Sequence, residues 1–137
     1  MTLQVQLVSP ERILWSGEAE MLTARTVEGG DITFLTGHAP FVGALEIGQV
    51  TVRPAQGSDV NFAVHGGFVE VSNDEVSVLS DVAEAMEQVD VNRAREARDR
   101  ARAALSLDVG DIEAVSALRR AELRLQVAGA STEAASH

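Results

Sequence analysis

Two stretches of this sequence set reactive side chains at spacings with chemical meaning. In Val89-Asp90-Val91-Asn92-Arg93-Ala94 an acid and an arginine stand three residues apart, which puts them on one face of a helix. Read from its residues, the pair is a helix cap followed by a first-turn arginine. The second stretch is Glu28-Gly29-Gly30-Asp31-Ile32-Thr33-Phe34-Leu35-Thr36-Gly37-His38-Ala39-Pro40-Phe41. Its glycines suit turns, Ala39-Pro40 favours an extended approach, and His38 sits between turn and proline. From chemistry alone His38 is either a hydrogen bonder that anchors the loop or a functional group.

Other catalytic chemistry is hard to assemble. His38, His65 and His137 lie too far apart in sequence for a local metal motif, and neither a nucleophile elbow nor a Walker loop is present. We assign no catalytic residue and no metal ligand. All 11 basic residues are arginine, so Schiff-base lysine and the phosphate-loop lysine are excluded. The absence of cysteine excludes disulfides, thiolate catalysis and Cys-ligated metals. The 21 acidic residues give a net charge of −10, against the basic footprint that nucleic acid demands. No apolar run approaches the roughly 18 residues that span a bilayer, and the start of the chain lacks signal-peptide character. The expectation is a soluble intracellular protein.

The elements that must position these groups fall into two regions. Residues 1–88 carry 13 acidic and 3 basic side chains; residues 89–137 carry 8 of each. Every proline and phenylalanine, and all glycines but Gly110 and Gly129, also precede residue 88. The boundary is set at 87/88. Before it, apolar residues alternate: Leu3-Val5-Leu7, Ile13-Trp15, Ile32–Phe34, Val50–Val52, Val60–Val64, Val69–Val71 and Val76–Val78. Turn chemistry separates them at Ser16-Gly17, Gly29-Gly30, Pro54–Gly57, Gly66-Gly67 and Ser72–Asp74. A period of two with such spacing predicts an antiparallel β-sandwich or barrel. The 13 carboxylates there read as a solvated face.

After the boundary, Asp90 caps a helix with an apolar face of Val91, Ala94, Ala97, Ala101 and Leu105. Asp111 caps a second with Ile112, Val115, Leu118, Ala121 and Leu125, ending near Ala128. Gly110 suits the left-handed position between them. The short connection predicts an antiparallel hairpin over 88–128 whose alanine seam buries little area. Residues 129–137 show no periodicity and read as a disordered tail.

In order and spacing, Gly37-His38-Ala39-Pro40, Gly66-Gly67-Phe68-Val69-Glu70-Val71, Val76-Ser77-Val78-Leu79-Ser80-Asp81 and the hairpin opened by Asp111-Ile112-Glu113 resemble the ε subunit of the F-type proton-translocating ATP synthase. The resemblance covers residues 2–128. It implies a β-sandwich of about ten strands followed by an α-helical hairpin, in a rotor subunit with no catalysis of its own and no required cofactor. The implied partners are the γ subunit, the membrane ring of c subunits, and the catalytic α/β head when the hairpin is extended. Asp31 and His38 occupy the family's ring-facing positions, although Thr33 stands in place of a glycine and Thr36 in place of the proline. With Met1 at the start and no transit peptide, the resemblance implies the cytoplasmic side of a bacterial plasma membrane, held peripherally through the complex.

The resemblance gives the hairpin a second role. In some members it extends to block ATP hydrolysis, and in others the compact form binds ATP through Ile/Leu-Asp-x-x-Arg-Ala. Residues 89–94 match that motif with Val89 as the apolar residue. Glu84, Asp90, Arg93, Ala94, Arg120 and Arg124 are the implied ATP-binding residues, with magnesium as an accompanying ion. Arginines suit phosphate through charge-assisted bonds. Two alternatives come from other classes. A free-standing β-sandwich binding module with a helical dimerisation hairpin predicts a stable homodimer. A small carboxylate- or His38-dependent enzyme predicts turnover by the isolated chain.

Overall fold

The computed structural model describes residues 2–129, so the expected tail from residue 130 onward, with His137, lies outside the described residues. The chain forms two compact units, divided between Ala85 and Met86.

The first unit is a β-sandwich of seven strands: β1 (Leu3–Val8), β2 (Ile13–Thr26), β3 (Gly30–Leu35), β4 (Phe41–Pro54), β5 (Val60–Ser72), β6 (Glu75–Leu79) and β7 (Ala83–Ala85). Their order is β1-β6-β5-β4-β2-β3, with β7 beside β5 and a further β1–β2 pairing that closes the sheet on itself. All pairings are antiparallel except β1 with β6, which run parallel from Gln4↔Glu75 to Val8↔Leu79. Strands β2, β4 and β5 are 13 or 14 residues long, and each runs from one layer into the other. The structure thus has seven strands where about ten were expected, because these three run on where shorter ones were anticipated.

Alternation does what the sequence expects of it. In β1 the pattern is buried at Leu3, Val5 and Leu7 and exposed at Gln4 and Gln6. These side chains join Leu22, Phe34, Val52, Phe62, Val69, Val71, Val76 and Val78 in one core, with Trp15 and Phe41 packed at its margin. Burying apolar area at about 25 cal/mol per Å2 is the main term holding the layers together.

Two expected turns are not turns. Ser16-Gly17 lies inside β2, and Gly66-Gly67 lies inside β5. At Gly66 and Gly67 φ is +91° and +124°, which bends the strand from one layer toward the other without reversing it. A Cβ on Gly67 would lie 2.0 Å from the carbonyl oxygen of Leu79, so only glycine fits. The Ser80 hydroxyl, 2.6 Å from the Gly66 carbonyl oxygen and 2.9 Å from that of Val82, holds the bend from beside it.

The second unit opens with a 3-10 turn, Met86–Gln88, and continues as α1 (Val91–Leu107) and α2 (Ile112–Val127). Asp90 and Asp111 are the N-caps: their carboxylates accept from the backbone N–H of Arg93 and of Ala114. Gly110 is not left-handed. Its N–H donates to Asp108 Oδ1 at 3.0 Å, and the extended Asp108 ends the helix instead. The apolar faces also shift. Ala94 and Ala101 are buried as expected, but so is Arg98, while Ile112 is 82% exposed and Ala114 turns inward.

Candidate functional site

Strand register builds a surface that none of the motifs reveals. Ala44 pairs with Phe68, Phe68 with Leu79, Leu79 with Val8, and Val8 with Ile13. Paired residues share a face, so these five side chains form one row across five strands. Phe68 and Ile13 are each 58% exposed and Leu79 is 49% exposed. Val42, 70% exposed, lies two residues along β4 from Ala44 on the same face, in the neighbouring row opposite Glu70. Phe68 lines two shallow depressions, one of about 440 Å3 with Val27, Ile32, Phe41 and Val42, the other of about 290 Å3 with Val8, Pro10 and Leu79. An uncharged row of this extent on a chain of net charge −10 is a place where a partner surface fits. The signal was present in the parity: in Phe68-Val69-Glu70-Val71 the valines point inward, which sends Phe68 out.

The proposed ring-facing pair separates along β3. Asp31 is exposed near the start of the strand, 3.3 Å from the Arg25 guanidinium across the β2–β3 pair. Four residues at roughly 3.3 Å each put Asp31 about 13 Å from Leu35, beyond which the His38 loop begins. His38 is held locally: its N–H donates to the Leu35 carbonyl at 3.0 Å, and its Nδ1 is 2.7 Å from the Ala39 carbonyl oxygen. The ring stands edge-on to Phe34 at 4.9 Å and to Phe41 at 6.4 Å between centroids. Loop anchoring, one of the two readings of His38, is therefore present.

The nucleotide candidates divide between the units. Glu84 is on β7, with Oε1 3.5 Å from Nε2 of His65, whose side chain is only 4% exposed. Sequence reasoning left His65 without a role, because the pairing of β5 with β7 that brings it to Glu84 is not legible in a three-residue strand. In the hairpin, Asp90 caps α1 through a 3.0 Å bond to the Arg93 N–H, and Ala94 is buried. Arg120 Nη2 is 3.4 Å from Glu113 Oε1. Arg124 lies one turn further along α2, in its last turn. The antiparallel hairpin is crossed by Arg102 and Glu122 at 3.9 Å. Arg93 and Arg124 both sit roughly 20 Å of helix away from its turn, at 1.5 Å per residue, and so at the same end. Among the described residues, no group of three or more His, Asp or Glu side chains gathers to hold a metal ion.

Comparison with known proteins agrees over nearly the whole length. Residues 2–86 match the family model described as the ATP synthase delta/epsilon chain, beta-sandwich domain. The ATP synthase epsilon chain of Streptomyces griseus is 44% identical over 124 residues, covering 90% of this chain and 93% of the relative. That of Thermobifida fusca is 43% identical over 136 residues, covering 96% of each. Among solved structures, a chain of the Euglena gracilis mitochondrial ATP synthase superposes with a TM-score of 0.70 at 22% identity, covering 93% of this chain and 78% of that one. A chain from the central stalk/c-ring structure of the Tetrahymena thermophila enzyme gives 0.63 at 15%, covering 93% and 97%. With its β-sandwich matched through residue 86 and its helical hairpin included in the full-length relatives, this chain belongs to the ATP synthase epsilon chain family and is a non-catalytic subunit of that complex.

Proposed function

We propose that the chain is a rotor subunit that couples the membrane c ring to the catalytic head, docked on the γ subunit through the apolar row Ala44–Phe68–Leu79–Val8–Ile13. The row is the observation that carries this reading: it is exposed, continuous across five strands and has no charge within it. Desolvating aromatic and aliphatic anchors of this kind supplies most of the affinity at protein interfaces. The strongly acidic sandwich around it would steer the chain toward basic loops of a partner. Asp31 and His38 are assigned to the side that faces the ring of c subunits. No helix among the described residues is long and apolar enough to cross a membrane, in keeping with peripheral attachment through the complex. The relatives cited are bacterial, which supports the cytoplasmic side of a plasma membrane.

The test is reassembly of the full chain with ATP synthase stripped of this subunit. Phe68→Asp should weaken incorporation strongly while leaving the chain folded. Full incorporation of that variant would remove the row from the interface.

A second reading concerns the hairpin, and it is favoured by Arg93 and Arg124, which both lie at the end of α1 and α2 away from their turn. We assign ATP, with magnesium, to Asp90, Arg93, Ala94, Arg120 and Arg124 of the compact hairpin as a regulatory ligand. The Arg93 and Arg124 guanidiniums suit phosphate oxygens, whereas Asp90 already accepts the Arg93 N–H and would orient that residue. Ligand binding would stabilise the compact hairpin by mass action and oppose an extended, hydrolysis-blocking form against the α/β head. Isothermal titration with ATP and magnesium should show binding that Asp90→Ala and Arg93→Ala both lose. Equal binding by both variants would return Asp90 to its capping role.

A further inference from the structure

The hairpin that joins β5 to β6 contains the two non-glycine residues of positive φ among the described residues, Asn73 at +52° and Asp74 at +60°. Consecutive left-handed residues make a tight turn of the primed type, whose second position is ordinarily glycine. Aspartate in that place costs backbone strain that glycine would not, and strain retained at one position points to a use for the side chain. The use is visible. Asp74 Oδ1 accepts the N–H of Gly37 at 2.7 Å, a contact between residues 37 positions apart in sequence. Gly37 is itself left-handed, at φ +84°, and immediately precedes His38. The carbonyl oxygen of Asp74 separately accepts the N–H of Gln4 at 2.8 Å.

The geometry points to Asp74 as a positioning residue that presets the 36–40 loop, and with it His38, for docking on the partner ring. His38 is also held by the Leu35 carbonyl at the end of β3 and by Ala39 within the loop, but both are near neighbours in sequence and neither ties the loop to another hairpin. The Asp74 carboxylate is the tie that fastens the loop to the β5–β6 hairpin. A charge-assisted bond from carboxylate to amide is stronger than a neutral one, and rigidifying a loop before binding removes ordering cost from the binding step. This inference rests on the assignment of His38 to the ring-facing side.

Asp74→Gly separates positioning from turn formation. Glycine relieves the left-handed strain and keeps the carbonyl bond to Gln4, which offsets part of the cost of the lost carboxylate bond, so the chain should still fold. The Gly37 amide should nevertheless exchange its proton about tenfold faster in the full chain, read by NMR. Asp74→Asn tolerates the same backbone and keeps an acceptor oxygen, so it should restore protection to within about twofold of wild type. In reassembly with synthase stripped of this subunit, Asp74→Gly should weaken incorporation in the same direction as His38→Ala. Unchanged Gly37 exchange in Asp74→Gly overturns the proposal by itself. So does faster exchange with full incorporation, if His38→Ala incorporates poorly. Full incorporation of His38→Ala instead defeats the assignment of the loop to the interface, and the exchange result still reports whether Asp74 holds it.

Discussion

The two outer faces of the sandwich share one backbone geometry and carry opposite chemistry. On one face the register row runs Ala44–Phe68–Leu79–Val8–Ile13 and is apolar throughout. On the other, Thr33 pairs with Thr23, Thr23 with Thr51, and Thr51 with Asn61. That row is stitched by side chains: Thr23 Oγ1 to Thr33 Oγ1 at 2.9 Å, Thr51 Oγ1 to Asn61 Oδ1 at 2.8 Å, and Gln49 Nε2 to both Thr51 and Asn61. Beyond it, Arg53 and Asp59 form an ion pair at 3.1 Å, which pushes the Arg53 guanidinium further up from its usual value. The polar row makes hydrogen bonds from strand to strand, and its Gln49–Thr51–Asn61 part is half-buried. The apolar row satisfies nothing until something covers it. An outer face therefore declares its role by whether its cross-strand pairs complete one another.

That contrast can be broken in stages. The largest effect belongs to Gly67→Ala, which drives a Cβ into the Leu79 carbonyl at the point where β5 changes layers. It should destabilise the fold by about 3 kcal/mol or more in chemical denaturation, and it would disturb both faces together. Next, Phe68→Asp should cost about 2–4 kcal/mol of affinity for the stripped synthase, measured by titrated reassembly. Because Phe68 is already half exposed, its unfolding midpoint should move little. The matching change on the other face, Thr51→Val, removes the hydroxyl that bridges Gln49 and Asn61. It should cost about 1 kcal/mol of stability and leave reassembly intact. Equal loss of assembly from Thr51→Val and Phe68→Asp would erase the distinction between the faces. The smallest effect lies outside the sandwich: Asp90→Ala should lower the stability of the hairpin by about 1 kcal/mol, read by the thermal loss of helical circular dichroism.

Much of this was legible beforehand because it depends on local rules. Alternation identifies β1, β3 and β6, and acid caps mark the starts of both helices to the residue. What was hidden depends on neighbours distant in sequence. Gly66-Gly67 announces positive φ, yet positive φ bends a strand or reverses it according to the pairing on either side. Glu18–Thr26 and Phe41–Gln49 were not read as strand because they are halves of β2 and β4 whose partners fix them. Ile112 and Val115 look like a helix face by period, but which stripe is buried is a tertiary decision, and Ala114 takes the inward place. At the candidate sites, the Asp90–Arg93 cap could be read from three-residue spacing. The Asp74–Gly37 and His65–Glu84 contacts join residues whose proximity no local spacing encodes.

The long strands also determine how the sandwich behaves under force. In a sandwich whose layers are joined only by surface loops, a sideways push on one face is resisted by side-chain packing alone. Here β2, β4 and β5 cross from one layer to the other as unbroken backbone, and β1 ties the far edges by pairing with both β2 and β6. Sliding one layer over the other would require stretching three peptide chains and breaking their ladders at once. A force applied to one face is thus carried toward the other along continuous backbone as well as through side-chain packing.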